Sequence, residues 1–204
     1  PVRVGQNTDW ISVARGYSHT LALKDDFTLW AWGQNNYGEL GDGTMGIAMD
    51  PQRVGSDTNW ASISTGWGHT VALKSNGTLW AWGFNADYEL GDGTTDMRYS
   101  PVQIGSDTNW ASISTGYGHT VALKSNGSLW AWGYNGTGQV GDNTTNNRTT
   151  PVQIGTDTDW ASVATGYYHT LVIKNDGSLW GWGQGFWVQM GDGTRNDRHV
   201  PGRI

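Results

Sequence analysis

The stretch GYGHTVALKSNGSLWAWGYN, residues 116–135, returns in near-copy from Gly16, Gly66 and Gly166, each copy 50 residues from the next. That period limits what the chain can fold into more than any single residue does. A unit of this size cannot bury its own apolar face and depends on the units beside it, so the copies must form one array with a shared core. Between 55–85 and 105–135, 28 of 31 positions are identical without insertion or deletion, and only Trp67/Tyr117, Thr78/Ser128 and Phe84/Tyr134 differ. Repetition this close implies recent duplication or deliberate design. The units run 1–50, 51–100, 101–150 and 151–200 within a single domain spanning 1–204. Pro201-Gly202-Arg203-Ile204 is left over as a surplus copy of the strand that opens the chain at Pro1-Val2-Arg3-Val4.

Each unit reads as four short strands. An extended piece follows each proline, as in Pro101-Val102-Gln103-Ile104, where a proline at a strand start is tolerated. After the polar turn Ser106-Asp107-Thr108-Asn109, the alternation Trp110-Ala111-Ser112-Ile113-Ser114 has the period of a half-buried strand. The run His119–Lys124 is joined through Ser125-Asn126-Gly127 to Ser128–Trp132, and an Asn-Gly pair accepts the positive φ that closes a tight hairpin. Glycine and β-branched residues interrupt every window long enough for a helix. The prediction is all-β: a β-propeller of four-stranded blades, in which radial repetition leaves only short sheet edges, with a solenoid as the alternative. Few apolar residues suffice for its core because 14 are Trp and 8 are Tyr, each burying a large area. The 31 glycines recur at fixed places beside these runs and mark turns.

The spaced motifs Gly-x-x-His-Thr-x-Ala-Leu, Gly-x-Leu-Trp-Ala-Trp-Gly-x-Asn and Gly-Asp-Gly-Thr resemble the repeat of the regulator of chromosome condensation family over essentially the whole chain. The resemblance implies a β-propeller, in that family commonly of about seven blades. This chain supplies four, so it reads as a four-bladed ring, a fragment, or a chain that associates to complete a larger ring. A terminal strand that pairs with a second copy would make the protein a homo-oligomer. The nucleotide-exchange role of that family's best-known member depends on an inserted wedge, and no insertion interrupts this period, so that activity is not carried over.

A net charge of −6, with 12 Lys and Arg scattered rather than clustered, lacks the electrostatic footprint of a nucleic-acid binder. No apolar run reaches membrane-spanning length, and the start at Pro1 without Met or signal peptide reads as a mature or trimmed chain. The absence of cysteine excludes disulfides and thiolate metal sites. His19, His69, His119 and His169 recur once per unit before a threonine, where a repeated hydrogen bond that pins the strand explains them better than a metal. Asp42, Asp92, Asp142 and Asp192 recur in Gly-Asp-Gly/Asn-Thr, a tight turn whose single carboxylate falls short of a calcium loop. With no nucleophile motif and only Glu39 and Glu89 as glutamates, the chain reads as a non-enzyme without cofactor or metal.

Because most of each unit is held constant, the informative positions are those that vary. One group follows the repeated glycine: Tyr17, Trp67, Tyr117, and the pair Tyr167-Tyr168. A second follows the Trp-Gly pair: Tyr37; Phe84 and Tyr88; Tyr134; and Phe186-Trp187-Val188. Packing between blades accounts for part of the first group. Phe186-Trp187-Val188 resists that account, because its counterparts Asn36-Tyr37-Gly38, Ala86-Asp87-Tyr88 and Gly136-Thr137-Gly138 show no shared need for bulk, and an exposed apolar tip marks an interaction site or a self-association contact. Phe27 replaces the turn glycines 77, 127 and 177, where positive φ makes a bulky residue costly. The segments before each proline, 45–50, 95–100, 145–150 and 195–200, read as solvated connections.

These positions predict a protein-binding module whose aromatic loops form one uneven surface, since binding hot spots favour clustered Tyr, Trp and Arg. The same resemblance extends to β-lactamase-inhibiting propellers of similar repeat, which grip a partner with loops on one face. Two other readings stand beside it. One is a lectin with a sugar pocket per blade built on Trp30, Trp80, Trp130 and Trp180, and the other an engineered or structural self-assembling scaffold.

Overall fold

The computed structural model describes residues 5–204. Every regular element among them is a strand, and the strands form four antiparallel four-stranded meanders. Blade 1 comprises β1 (Trp10–Arg15), β2 (His19–Lys24), β3 (Leu29–Gly33) and β4 (Ala48–Arg53). Blade 2 comprises β5 (Trp60–Thr65), β6 (His69–Lys74), β7 (Leu79–Gly83) and β8 (Arg98–Gln103). Blade 3 holds β9 (Trp110–Thr115), β10 (His119–Lys124), β11 (Leu129–Gly133) and β12 (Arg148–Gln153), and blade 4 holds β13 (Trp160–Thr165), β14 (His169–Lys174), β15 (Leu179–Gly183) and β16 (Arg198–Arg203). The predicted all-β propeller is therefore observed, and the Asn126-Gly127 turn closes its hairpin with Gly127 at φ 79°.

The phase of the units needs correction. The strand around each proline is not the first of its own sequence unit but the outer strand of the preceding blade, hydrogen-bonded to that blade's third strand: Trp30 pairs with Arg53, and Trp180 with Arg203. Pro201–Arg203 is therefore no surplus strand, because it completes blade 4 as part of β16. The homo-oligomer expected from that surplus loses its stated basis, and Pro1–Val4, the other half of the argument, lies outside the described residues. The same phase turns the ends of the supposed solvated connections into edge strand, with Pro51 inside β4, where a missing N–H costs no ladder bond.

First strands of successive blades pack on one another, β1 on β5, β5 on β9 and β9 on β13, so they line the axis. The core lies between blades rather than within them. At the first junction Leu21, Leu23, Leu29, Leu40 and Val54 of blade 1 meet Trp60, Trp82 and Ile63 of blade 2, and equivalent clusters fill the other two junctions. Polar groups cross the same junctions in a fixed pattern. The Nε2 atoms of His19, His69 and His119 lie 3.1–3.3 Å from the Oγ1 atoms of Thr70, Thr120 and Thr170 in the next blade. This is the repeated pinning bond expected of the histidines, reaching a neighbouring strand. Those threonines donate onward to the carbonyls of Glu39, Glu89 and Gln139, which also accept from Trp82, Trp132 and Trp182. Burial holds His19 down at about 4 and His69 and His119 at about 3, so all three work as neutral rings.

Candidate functional site

Two successive loops on one end of the propeller carry most of the positions that vary. The first runs from the inner strand through the repeated glycine. A Cβ on Gly66 would meet the His69 ring and, at 2.6 Å, the carbonyl of Gly116, so only glycine lets adjacent blades approach this closely at the axis. The close approach brings the next residue of each blade side by side. The Trp67 amide donates to the Tyr117 carbonyl, and the Tyr117 amide to that of Tyr167. Ring centroids follow at 5.5 Å for Trp67–Tyr117 and 4.3 Å for Tyr117–Tyr167.

The second loop, after the Trp-Gly pair, leans over the following blade. Tyr37 of blade 1 lies 5.4 Å from Trp67 and 5.0 Å from Phe84, both of blade 2. Tyr168 joins Tyr134, at 5.7 Å, to Tyr117, at 5.5 Å. Eight of the predicted residues, Tyr17, Tyr37, Trp67, Phe84, Tyr117, Tyr134, Tyr167 and Tyr168, thus lie on one surface around the axis. At its centre is a cavity of about 260 Å³, rimmed by Tyr17, Trp67, Tyr117 and Tyr167 with Arg15 beside them. Tyr17 and Tyr167 are the exposed members, at 73% and 55%. Desolvation by the surrounding rings, with the neighbouring Tyr117 phenol, pushes the Tyr167 hydroxyl up to about 12, so it is a neutral hydrogen-bonding group at physiological pH.

The remaining predicted residues do not join this surface. Tyr88 has no ring partner among the described residues and sits at φ 65°. Among the described residues the rings of Phe186 and Trp187 meet no aromatic ring but each other, at 4.8 Å, and Trp187 is 77% exposed. Val188 sits at φ 61°, where its counterparts Gly38 and Gly138 have φ near 80°, an uncommon backbone for a β-branched residue. Phe27 likewise has φ 60° and is exposed.

Other repeated residues are bound up in the scaffold. The Asp42 carboxylate accepts from the Thr44 amide and hydroxyl and from Asn35, which in turn caps the Leu40 amide. Asp92 and Asp142 repeat that turn with Asn85 and Asn135, Asp192 keeps only the Thr194 amide and hydroxyl because Gly185 replaces the asparagine, and all three add an arginine partner, Arg98, Arg148 and Arg198. On the opposite side of the blades, each repeated lysine lies between two tryptophans. Lys74 Nζ is 3.7 Å from the Trp80 ring centroid and 4.8 Å from that of Trp60, and its third neighbour is Asp57 at 2.7 Å. The Trp80 and Trp130 faces that a lectin would offer to a sugar are thus covered by ammonium groups of their own blades. Sequence reasoning passed over both this lysine and Arg15. The lysine was legible, being constant at 24, 74, 124 and 174 where a solvated charge would drift. Arg15 was legible as the single charge among Thr65, Thr115 and Thr165.

The geometry defines a class: an arc of propeller blades with a rigid, inter-blade scaffold and a ring of aromatic loops at one axial mouth. Residues 2–204 match the RCC1-like domain, and the chain belongs to that family. Among solved structures it is similar to human WBSCR16, with 23% identity, a TM-score of 0.88 and coverage of 100% of this chain and 55% of that one. It is similar also to yeast RCC1 (Prp20) solved with Kap60, at 24% identity and TM-score 0.89, covering 98% of this chain and 50% of that one. A second structure, Prp20p from Saccharomyces cerevisiae, gives 24% identity and TM-score 0.87 over 98% of this chain and 51% of that one. The chain therefore spans about half the length of these propellers.

Proposed function

We propose that this chain is a non-catalytic protein-binding module that docks its partner on the axial aromatic surface. The observation that carries the reading is the unbroken run of rings from Tyr37 through Trp67 and Tyr117 to Tyr167 and Tyr168, half-exposed yet fixed by contacts across the three junctions between the four blades. Rings held in place lose little conformational freedom on binding, and Tyr, Trp and Arg supply most hot-spot energy at protein interfaces. Arg15 at the rim gives a net-acidic molecule one positive group beside the cavity, which favours a partner segment bearing a carboxylate among apolar residues. Support from relatives is of the same kind: yeast RCC1 (Prp20) has been solved bound to Kap60, and Prp20p has been studied for binding to Gsp1p and histones.

The test is capture of partner proteins by immobilised wild-type chain and by a Tyr117→Ala/Tyr167→Ala variant whose fold is checked by thermal melting. Loss of two hot-spot rings should weaken the captured complex by about 30-fold or more, at about 2 kcal/mol for one such ring. Undiminished capture by a folded variant would remove the aromatic surface as the site.

A further inference from the structure

One corner of the aromatic surface departs from the repeat in several places at once. Tyr37, Asp87 and Thr137 hold equivalent positions, each donating its amide to the buried side chain two residues on, Glu39, Glu89 or Gln139. In blade 1 this position is a ring that packs on Trp67 and Phe84 of blade 2. In blade 2 it is a carboxylate, and two of the three differences between 55–85 and 105–135 fall on the rings of blade 3 that correspond to Trp67 and Phe84, which become Tyr117 and Tyr134. A further phenol, Tyr168, enters where the other blades have Ser18, Gly68 and Gly118. A carboxylate and three phenols thus replace serine, glycine and apolar rings within an otherwise constant frame.

These groups meet at the junctions of blades 2, 3 and 4. The Tyr168 ring lies 5.5 Å from Tyr117 and 5.7 Å from Tyr134, and all three are part-exposed. Asp87 is tied to blade 3 through one oxygen, its Oδ1 accepting from Asn147 Nδ2 at 3.0 Å. Burial among the rings, then the Tyr117 and Tyr134 phenols, then Asp87 push the Tyr168 hydroxyl upward, so the carboxylate is felt at that ring. No cation answers it. The repeated lysines and arginines of the blades are taken by other aspartates, as Lys124 is by Asp107 and Arg148 by Asp142, and among the described residues Asp87 forms no ion pair. Its ionisable neighbour Glu89 is a second carboxyl rather than a counter-charge. A scaffold role alone leaves the change unexplained, because Asp87 forfeits the two ring contacts that Tyr37 makes and gains one bond through a single oxygen.

We infer that Asp87 and the rings of Tyr117, Tyr134 and Tyr168 form the seat of an arginine side chain of the docked partner, an inference that rests on the axial surface being the docking face. A guanidinium is the cation that suits this set. Its flat faces stack on aromatic rings while its edge donates to a carboxylate, and it gives up its water more readily than an ammonium does. Asp87 Oδ2, left over by Asn147, and the phenol oxygens are the acceptors it would use. A net charge of −6 favours a partner that brings the cation with it. Arg15 of blade 1 and Asp87 of blade 2 then give the surface opposite charges at two places, so a partner segment with an acid toward blade 1 and an arginine toward blades 2 and 3 docks in one direction only.

The test is NMR of ring-labelled tyrosines during titration with N-acetyl-arginine methylamide, set against its neutral isostere N-acetyl-citrulline methylamide. The Tyr134 and Tyr168 ring signals, assigned through Tyr134→Phe and Tyr168→Gly, should move with the arginine probe and stay in place with citrulline, while Tyr99 on the outer strand β8 moves with neither. Asp87→Asn keeps an oxygen for Asn147 and removes the charge, and it should weaken the arginine titration by about 5-fold. Tyr168→Gly restores the residue of the two preceding blades and should weaken it as well, which keeps the inference open to refutation should Asp87→Asn fail to fold by thermal melting. Equal movement with citrulline, a titration undiminished in the folded variants, or no movement at Tyr134 and Tyr168 would each overturn the arginine seat. The titration uses no partner protein, so failure of the seat appears here, whereas failure of the docking surface appears as undiminished capture by Tyr117→Ala/Tyr167→Ala.

Discussion

Replacing Glu89 with glutamine should stabilise the fold above neutral pH and weaken it slightly in acid. Glu89 is 2% exposed beneath the loop it caps, where its carboxylate accepts the Asp87 amide at 2.8 Å. Burial, with Asp87 close by, raises its pKa from 4.5 to about 7. For a carboxyl raised on folding, the folded state takes up a proton, so the associated stability is full below pH 4.5 and is lost as pH climbs through 7. At about 1.4 kcal/mol per unit, keeping the charge buried costs about 3 kcal/mol by about pH 8. Glutamine occupies the same position as Gln139 and accepts the Thr137 amide in the same way, but its Nε2 is buried without an acceptor among the described residues. That orphaned amide costs about 1–2 kcal/mol, leaving a net gain of about 1–2 kcal/mol at about pH 8 and a net loss of about 1 kcal/mol near pH 4.5. Urea unfolding of both proteins across this range should give stability curves that cross. Parallel curves would refute the reasoning, since they would mean that Glu89 ionises as freely in the folded chain as in the unfolded one.

Two further outcomes follow from the inter-blade bonds. His19, His69 and His119 have folded pKa values of about 4, 3 and 3 against 6.5 unfolded, so the unfolded chain binds protons first and stability should fall as pH drops from 6.5 toward 4. Measured on a Glu39→Gln/Glu89→Gln background, where both buried carboxyls that oppose this trend are gone, a urea midpoint that does not move over that window would contradict the buried neutral rings. Ser64 and Ser114 hydroxyls bond Thr115 and Thr165 across their junctions at 2.8 Å, but Ala14 stands in for serine at the first junction and leaves Thr65 Oγ1 buried without a partner. Ala14→Ser should add about 1 kcal/mol to unfolding stability, and a destabilised variant would show that the first junction is spaced differently from the others.

Much of this architecture could be read from the chain itself. Trp110-Ala111-Ser112-Ile113-Ser114 alternates as a strand half-buried on one face must, and Asn126-Gly127 announces its hairpin because few other pairs accept that backbone. The phase could not be read. In a tandem repeat the Pro101 strand stands equally between two units, and only its pairing with Trp80 and Ala81 assigns it to the preceding blade. Aromatic positions around the axis were legible as variation on a constant frame, yet their partners were not, because Tyr37 meets Trp67 across a junction that no local pattern encodes. The same holds for Met45 and Ile47 in the loop before β4 and Met49 within it, which look like an unremarkable connection until the fold places them on the surface at 63%, 70% and 90% exposure.

Each sheet is formed by one uninterrupted stretch of chain, with β16 closing blade 4 from its own unit rather than by exchange with a distant terminus. This has a genetic consequence. A slippage event that copies or deletes any window of 50 residues, wherever it happens to cut, restores the reading of the repeat and yields a whole blade more or a whole blade fewer. No strand has to be re-threaded, and the new neighbour inherits a ready-made set of histidine, threonine and tryptophan partners. The near-identity of blades 2 and 3 is the pattern such an event would leave behind.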